Sequence, residues 1–224
     1  MRSLIPNMLT SLNLVLGMIS IILTFNGEFV KAALFIVAAM IADGLDGRAA
    51  RYFKVSSDFG KELDSLCDLV SFGVAPAILS YAYILKDFDM LGYVATALFA
   101  TCGALRLARF NVNTGVVKGY FMGLPIPAAG CVMATFVMLG HKPPGFWFLI
   151  MITIFAYLMV SSIRYPDFKG KGEKIRIIPA IITIGIGIYI LLVANSALLF
   201  VIFFSYALFG ILNTIFALFS SESK

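Results

Sequence analysis

"DGLDGRAARYFKVSSDFGKELDSLCD" runs from Asp43 to Asp68 and carries six carboxylates in 26 residues. Apolar stretches flank it on both sides, in a chain of 224 residues of which only 13% are charged. Asp43 and Asp46 stand three apart at the end of one apolar segment, and Asp64 and Asp68 stand four apart at the start of the next. Both spacings put the pair on one helix face. The short connection between them folds the second helix back beside the first, so that four carboxylates converge on one point.

An ionised aspartate in a membrane costs roughly 2.5–3.5 kcal/mol at mid-span on insertion scales, and less near an interface. Four together also repel one another. One or two divalent cations are the least costly compensation. Oxygen ligands with no nearby His or Cys point to hard ions, Mg²⁺ or Mn²⁺, with Ca²⁺ also compatible. Mg²⁺ dehydrates reluctantly and is commonly shared with substrate phosphates, so metal and phosphate belong together here. The competing explanation is ion pairing with Arg48, Arg51, Lys54 and Lys61, and it is the better one for Asp58 and Glu62.

The rest of the composition agrees with a membrane setting. Hydrophobic residues make up 61% of the chain and the mean hydropathy is +0.98, against about 45–50% apolar in a soluble domain. An integral membrane protein of one domain is expected. A net charge of +5 and a pI of about 9.1 are explained by membrane orientation and lipid headgroups, not by nucleic acid. Cys67, Cys102 and Cys131 form no CxxC pair and are read as buried small hydrophobes, with no disulfide framework or soft-metal site. His141 falls in a turn and is read as solvated. Asn7, Thr10 and Asn13 interrupt the first apolar run, which is therefore read as a retained helix and not a signal peptide.

Eight segments are long enough to span, near 4–25, 29–50, 61–84, 91–110, 121–140, 145–163, 175–194 and 197–219. None alternates at period two, so an all-α polytopic bundle of about eight transmembrane helices is expected. Residues 1–180 form a six-helix catalytic core in this reading. Residues 181–224 add apolar helices to the same domain, without charge between Ile177 and Ser221 and joined near Asn195-Ser196. Fourteen Lys and Arg fall on the side of the aspartate-rich loop and three on the other. That asymmetry places both termini and the loop in the cytoplasm, in a cell (inner) membrane.

Glycines refine the site. Gly44 and Gly47 flank Asp46, and Gly60 precedes Asp64. Gly47 and Ala50 leave a flat notch wide enough for a planar base, and Arg51 offers a fork suited to phosphate oxygens. Helix packing explains the small residues equally well.

The pattern D-x₂-D-G-x₂-A-R-x₈-G-x₃-D-x₃-D is met without departure by Asp43, Asp46, Gly47, Ala50, Arg51, Gly60, Asp64 and Asp68. In this the chain resembles the CDP-alcohol phosphotransferases, integral membrane enzymes that transfer the phosphate-bearing part of a CDP-linked substrate to an alcohol and release CMP. The resemblance implies that Asp43, Asp46, Asp64 and Asp68 bind two divalent metals and that Asp68 is also the general base. It implies a nucleotide pocket of Gly47, Ala50, Arg51 and Gly60, with Asp46 at its edge, and a homodimer.

The acceptor is read from other stretches: Pro6–Gly17, Leu105–Val112, Tyr120–Gly130 and Ser161–Gly170. Together they resemble the serine-accepting branch of the family, which uses CDP-diacylglycerol or an archaeal equivalent and L-serine, over residues 4–180. A serine carboxylate needs a cation, and Arg106, Arg109 and Arg164 are the candidates, although the positive-inside rule or lipid phosphate also accounts for them. Asn13 is expected to face the nucleotide or phosphates. Pro125 and Pro127 are expected to bend or open the start of the fifth helix. Glycerol 3-phosphate and inositol phosphate are the alternative acceptors. A cation transporter is the alternative from another class, and a purely structural lipid-binding protein a third.

Overall fold

The computed structural model describes residues 4–55, 57–113, 120–140, 144–166 and 176–221. The readings made on Arg2, Lys118, His141, Lys142, Lys169, Lys171, Lys174 and Lys224 lie outside the described residues. Among those described, the chain forms α1 (Leu4–Phe25), α2 (Phe29–Phe53), α3 (Asp58–Asp68), α4 (Ala75–Tyr83), α5 (Asp89–Asn113), α6 (Ile126–Met138), α7 (Gly145–Val160), α8 (Ile177–Val193) and α9 (Leu198–Ser221).

Local chemistry sets the joints around the aspartates. Lys54, at φ 52°, closes α2 with its N–H on the Ala50 and Arg51 carbonyls. Ser57 then starts α3, its hydroxyl accepting from the Gly60 N–H at 3.0 Å, a standard N-cap. A π-helical turn, Leu69–Val74, joins α3 to α4 and so makes one rod from Asp58 to Tyr83. Pro76 has no N–H for the Phe72 carbonyl and its ring crowds that oxygen in a regular α-turn. The wider π-turn before it accommodates both.

The core centres on α6, of whose 13 residues ten are buried. It is surrounded by α2, α4 and α9, while α1 lies along α2 and also carries α3. Gly130 permits a close approach: a Cβ there would stand 2.6 Å from the Phe72 carbonyl oxygen of the π-turn. The three cysteines are free and buried, as expected.

Two features depart from the expected helices. Residues 120–122 are not the start of a helix but a strand, Tyr120–Met122, paired antiparallel with Arg164–Pro166, with Phe121 opposite Tyr165. Helix α6 begins only at Ile126. Pro125 is its N-cap and Pro127 lies in its first turn, so the prolines start the helix instead of bending it. The second departure is α9. It is an apolar packing element as expected, yet it also holds polar contacts to the ribbon and to α8. Thr214 Oγ1 accepts from the Arg164 N–H at 3.3 Å, Asn213 Oδ1 accepts from the Arg176 N–H at 3.2 Å, and the Tyr206 hydroxyl donates to the Pro166 carbonyl at 3.3 Å.

Among the described residues, four helical rods are long and apolar enough to cross a membrane: Ile5–Phe25, Asp58–Tyr83, Leu85–Asn113 and Leu198–Ala217. Three shorter apolar helices, α6, α7 and α8, accompany them. Helix α2 is long, but its C-terminal half carries Asp43, Asp46, Arg48 and Arg51. The architecture is an all-α membrane bundle with one small ribbon.

Candidate active site

Asp43 of α2 and Asp64 and Asp68 of α3 offer one oxygen each within 4.8 Å of one another. Asp68 is buried and the other two are half-buried. Asp46, expected with them, stands outside this group, one turn further along α2. Its Oδ2 lies 2.6 Å from the Thr10 hydroxyl, and it lines the neighbouring cavity.

That cavity, of about 480 Å³, is bounded by Asn7 and Thr10 of α1, Asp46, Gly47 and Ala50 of α2, and Gly60 and Asp64 of α3. Pro6, Lys54, Val55, Ser57 and Lys61 complete its wall. Helix α3 folds back so that its aspartates meet Asp43 of α2. Few backbone positions of the two helices come close, because both pack on α1, and the cavity fills the wedge between them. Gly47, Ala50 and Gly60 line it. Arg51 is exposed beside the notch, its Nη1 3.6 Å from the place a Gly47 Cβ would take.

The donor set fits a divalent cation. All the ligand atoms are carboxylate oxygens, and among the described residues no Lys or Arg pairs with any of the three. Asp64 Oδ1 is buried without a hydrogen-bond partner. Three clustered carboxylates repel, and a hard cation is the natural compensation. Asp58, by contrast, pairs with Lys61 at 3.4 Å on the exposed side, and Glu62 is exposed outside the group.

The family profile described as CDP-alcohol phosphatidyltransferase matches residues 3–163. The chain belongs to the CDP-alcohol phosphatidyltransferase family. A Helicobacter pylori protein named CDP-diacylglycerol–serine O-phosphatidyltransferase is 40% identical over 220 residues, 95% of this chain and 92% of the relative. The archaetidylserine synthase of Methanothermobacter thermautotrophicus is 41% identical over 172 residues, 76% of this chain and 72% of the relative. A Bacillus subtilis protein, named like that of H. pylori, is 38% identical over 170 residues, 76% of this chain and 94% of the relative.

In this phosphatidyltransferase the three candidate arginines differ. Arg106, on α5, is buried at 6% exposure, lies 5.3 Å from the Phe110 ring centroid, and has no hydrogen-bond partner for Nε. Asp68 is the carboxylate near enough to act on it. Arg109 is spent on backbone: Nη1 donates to the Val160 carbonyl at 2.9 Å, and Nη2 is within 3.1–3.3 Å of the Ser161, Met122 and Met159 carbonyls. This ties α5 to the end of α7 and to the ribbon, a structural role in place of the expected acceptor contact. Arg164 is exposed on the ribbon, its guanidinium 4.9 Å from the Tyr120 ring centroid.

Asn13 is fully buried, and its Nδ2 donates to Asp68 Oδ1 at 3.0 Å. Sequence reasoning overlooked Thr10, Asn7, Lys54, Ser57 and Lys61. The first two had a signal: Asn7, Thr10 and Asn13 recur every third residue, one polar stripe on α1.

Proposed function

We propose that this phosphatidyltransferase transfers the phosphatidyl group of CDP-diacylglycerol, or of an archaeal equivalent, to the hydroxyl of L-serine. The observation that carries the chemistry is the meeting of Asp43, Asp64 and Asp68 beside the cavity between α2 and α3. The names of the relatives support serine as the acceptor.

Asp43, Asp64 and Asp68, with Asp46 at their edge, would hold one or two divalent cations, Mg²⁺ or Mn²⁺. When bound, these supply positive charge to the pyrophosphate and to the departing CMP. The cavity receives the nucleotide, with Gly47, Ala50 and Gly60 leaving space for the base and Arg51 at its margin. Asp68 takes the proton of the serine hydroxyl. The hydroxyl oxygen bonds to the phosphorus that bears diacylglycerol, the P–O bond to CMP breaks, and phosphatidylserine and CMP leave. Arg106 is the cation best buried to receive the serine carboxylate, with Arg164 nearer the surface. The site opens at the cytoplasmic membrane face in a bundle of eight spans, with both termini in the cytoplasm and two copies forming a dimer.

CMP release by the purified protein, with CDP-diacylglycerol and Mg²⁺ or Mn²⁺, tests this. Serine, glycerol 3-phosphate and inositol phosphate are offered separately. Turnover with serine alone is expected. Turnover only with a phosphate acceptor sinks the serine assignment, and no CMP from folded protein under any condition returns the aspartates to a transporter role.

A further inference from the structure

Helix α1 contributes no carboxylate, yet one face of it follows the site residue by residue. Thr10 meets Asp46 of α2, and Asn13 meets Asp68 of α3. One turn on, Gly17 meets Ser71 of the π-turn, where a Cβ would stand 2.8 Å from the Ser71 Cα. The Ser71 hydroxyl donates back to the Asn13 carbonyl at 2.9 Å. The spacing 10, 13, 17 is a single helical stripe.

Asn13 holds a particular position in that stripe. It is wholly buried, and its backbone is fixed by Ser71. Its amide nitrogen is committed to one oxygen of Asp68, while its own Oδ1 is buried without a partner. A buried amide oxygen without a donor is costly, and beside the proton acceptor it leaves an acceptor for a donor that enters with substrate. An amino alcohol brings such donors in its hydroxyl and ammonium groups. A neutral amide bound to a carboxylate also fixes the carboxylate's rotation without adding charge to a site that must hold cations.

We propose that Asn13 is the positioning residue for the general base: it pins Asp68 Oδ1, so that Oδ2 faces the acceptor hydroxyl and takes its proton. Ser71 and the close seam at Gly17 keep Asn13 at that height. This rests on the reading of Asp68 as the base and replaces the expectation that Asn13 contacts the nucleotide.

The test compares Asn13→Leu, close in volume but without the amide, with the wild-type full-length chain in detergent and Mg²⁺. Three quantities are read: kcat for CMP release, KM for serine and for CDP-diacylglycerol, and equilibrium affinity for CDP by calorimetry. Loss of a hydrogen bond to a charged group predicts a kcat lower by about 10- to 100-fold. The KM for CDP-diacylglycerol and the CDP affinity should stay within about threefold, since the amide does not hold the nucleotide, while the KM for serine rises with the loss of the amide oxygen. A fall in CDP affinity with kcat retained makes Asn13 a nucleotide contact and overturns the proposal, as does an unchanged kcat. If the leucine variant does not fold, Asn13→Ser, too short to reach Asp68, is held to the same split. Asp68→Asn is run in parallel. If it is inactive while Asn13→Leu is fully active, only the positioning role is lost. If Asp68→Asn turns over normally, the base assignment falls and the positioning role with it.

Discussion

The Thr10 hydroxyl lies 2.6 Å from Asp46 Oδ2 and 3.0 Å from the Pro6 carbonyl. It has one proton, and the carboxylate is the stronger acceptor. Asp46 is thereby held at the cavity wall and apart from Asp43, Asp64 and Asp68. Thr10→Val keeps the shape and removes the bond. We expect the KM for CDP-diacylglycerol to rise by about tenfold, the worth of a charge-assisted hydrogen bond, with the KM for serine little changed. Steady-state CMP release at varied concentrations of each substrate checks this, and equal shifts in both KM values would mean that Thr10 merely supports the fold.

The aspartates were legible because a helix puts residues three and four apart on one face, and no other element matches that spacing beside apolar runs. The separation of Asp46 was not, since it depends on a hydroxyl 36 residues away. Arg109 misled for a similar reason. Nothing within α5 reveals that the carbonyls of residues 159–161 arrive at its guanidinium. The ribbon was hidden because Tyr120–Met122 is as apolar as a membrane helix, and hydropathy does not distinguish a short apolar strand from a helix end. Asn7, Thr10 and Asn13 were visible as interruptions of the first apolar run. Their common face on α1 acquires meaning only when α2 and α3 both pack on that helix.

The seam between α1 and the π-turn admits no side chain at residue 17. A Cβ on Gly17 would overlap the Ser71 hydroxyl. Gly17→Ala should therefore lower stability by about 1–3 kcal/mol, the usual cost of overpacking, and reduce kcat as Asn13 is displaced. Thermal unfolding in detergent checks the first effect. A variant as stable and active as the wild type would show that the seam yields freely and that α1 does not set the height of Asn13.

The carboxylate group predicts how activity depends on divalent ions. EDTA should abolish CMP release, and Mg²⁺ or Mn²⁺ should restore it. Asp43→Asn or Asp64→Asn should raise the Mg²⁺ concentration for half-maximal activity by about tenfold or more, as the loss of a ligand does at least what the loss of an outer partner does. Binding to the folded protein should also raise the melting temperature of the wild type with added ion. A melting temperature that ignores Mg²⁺ in the wild type, together with activity that survives EDTA, would remove the ion from the site.

Arg106 and Arg109 are three residues apart on α5, yet their surroundings predict opposite phenotypes. Arg109 bridges four backbone carbonyls from α7, its C-terminal end and the ribbon. Arg109→Ala leaves those half-buried and exposed carbonyls without this donor and should destabilise the fold by about 1–3 kcal/mol, without favouring one substrate over the other in KM. Arg106 has Phe110 against its guanidinium, an unpartnered Nε and Asp68 within electrostatic reach. In the proposed reading, a buried cation so placed is completed by an anion that arrives with the acceptor. Arg106→Ala should raise the KM for serine by about tenfold or more, leave the KM for CDP-diacylglycerol within about threefold, and favour serinamide relative to serine as acceptor, because serinamide lacks the carboxylate. Melting temperatures and acceptor kinetics of both variants separate the two roles. If Arg106→Ala changes both KM values equally, or leaves the preference for serine over serinamide intact, the carboxylate is bound elsewhere.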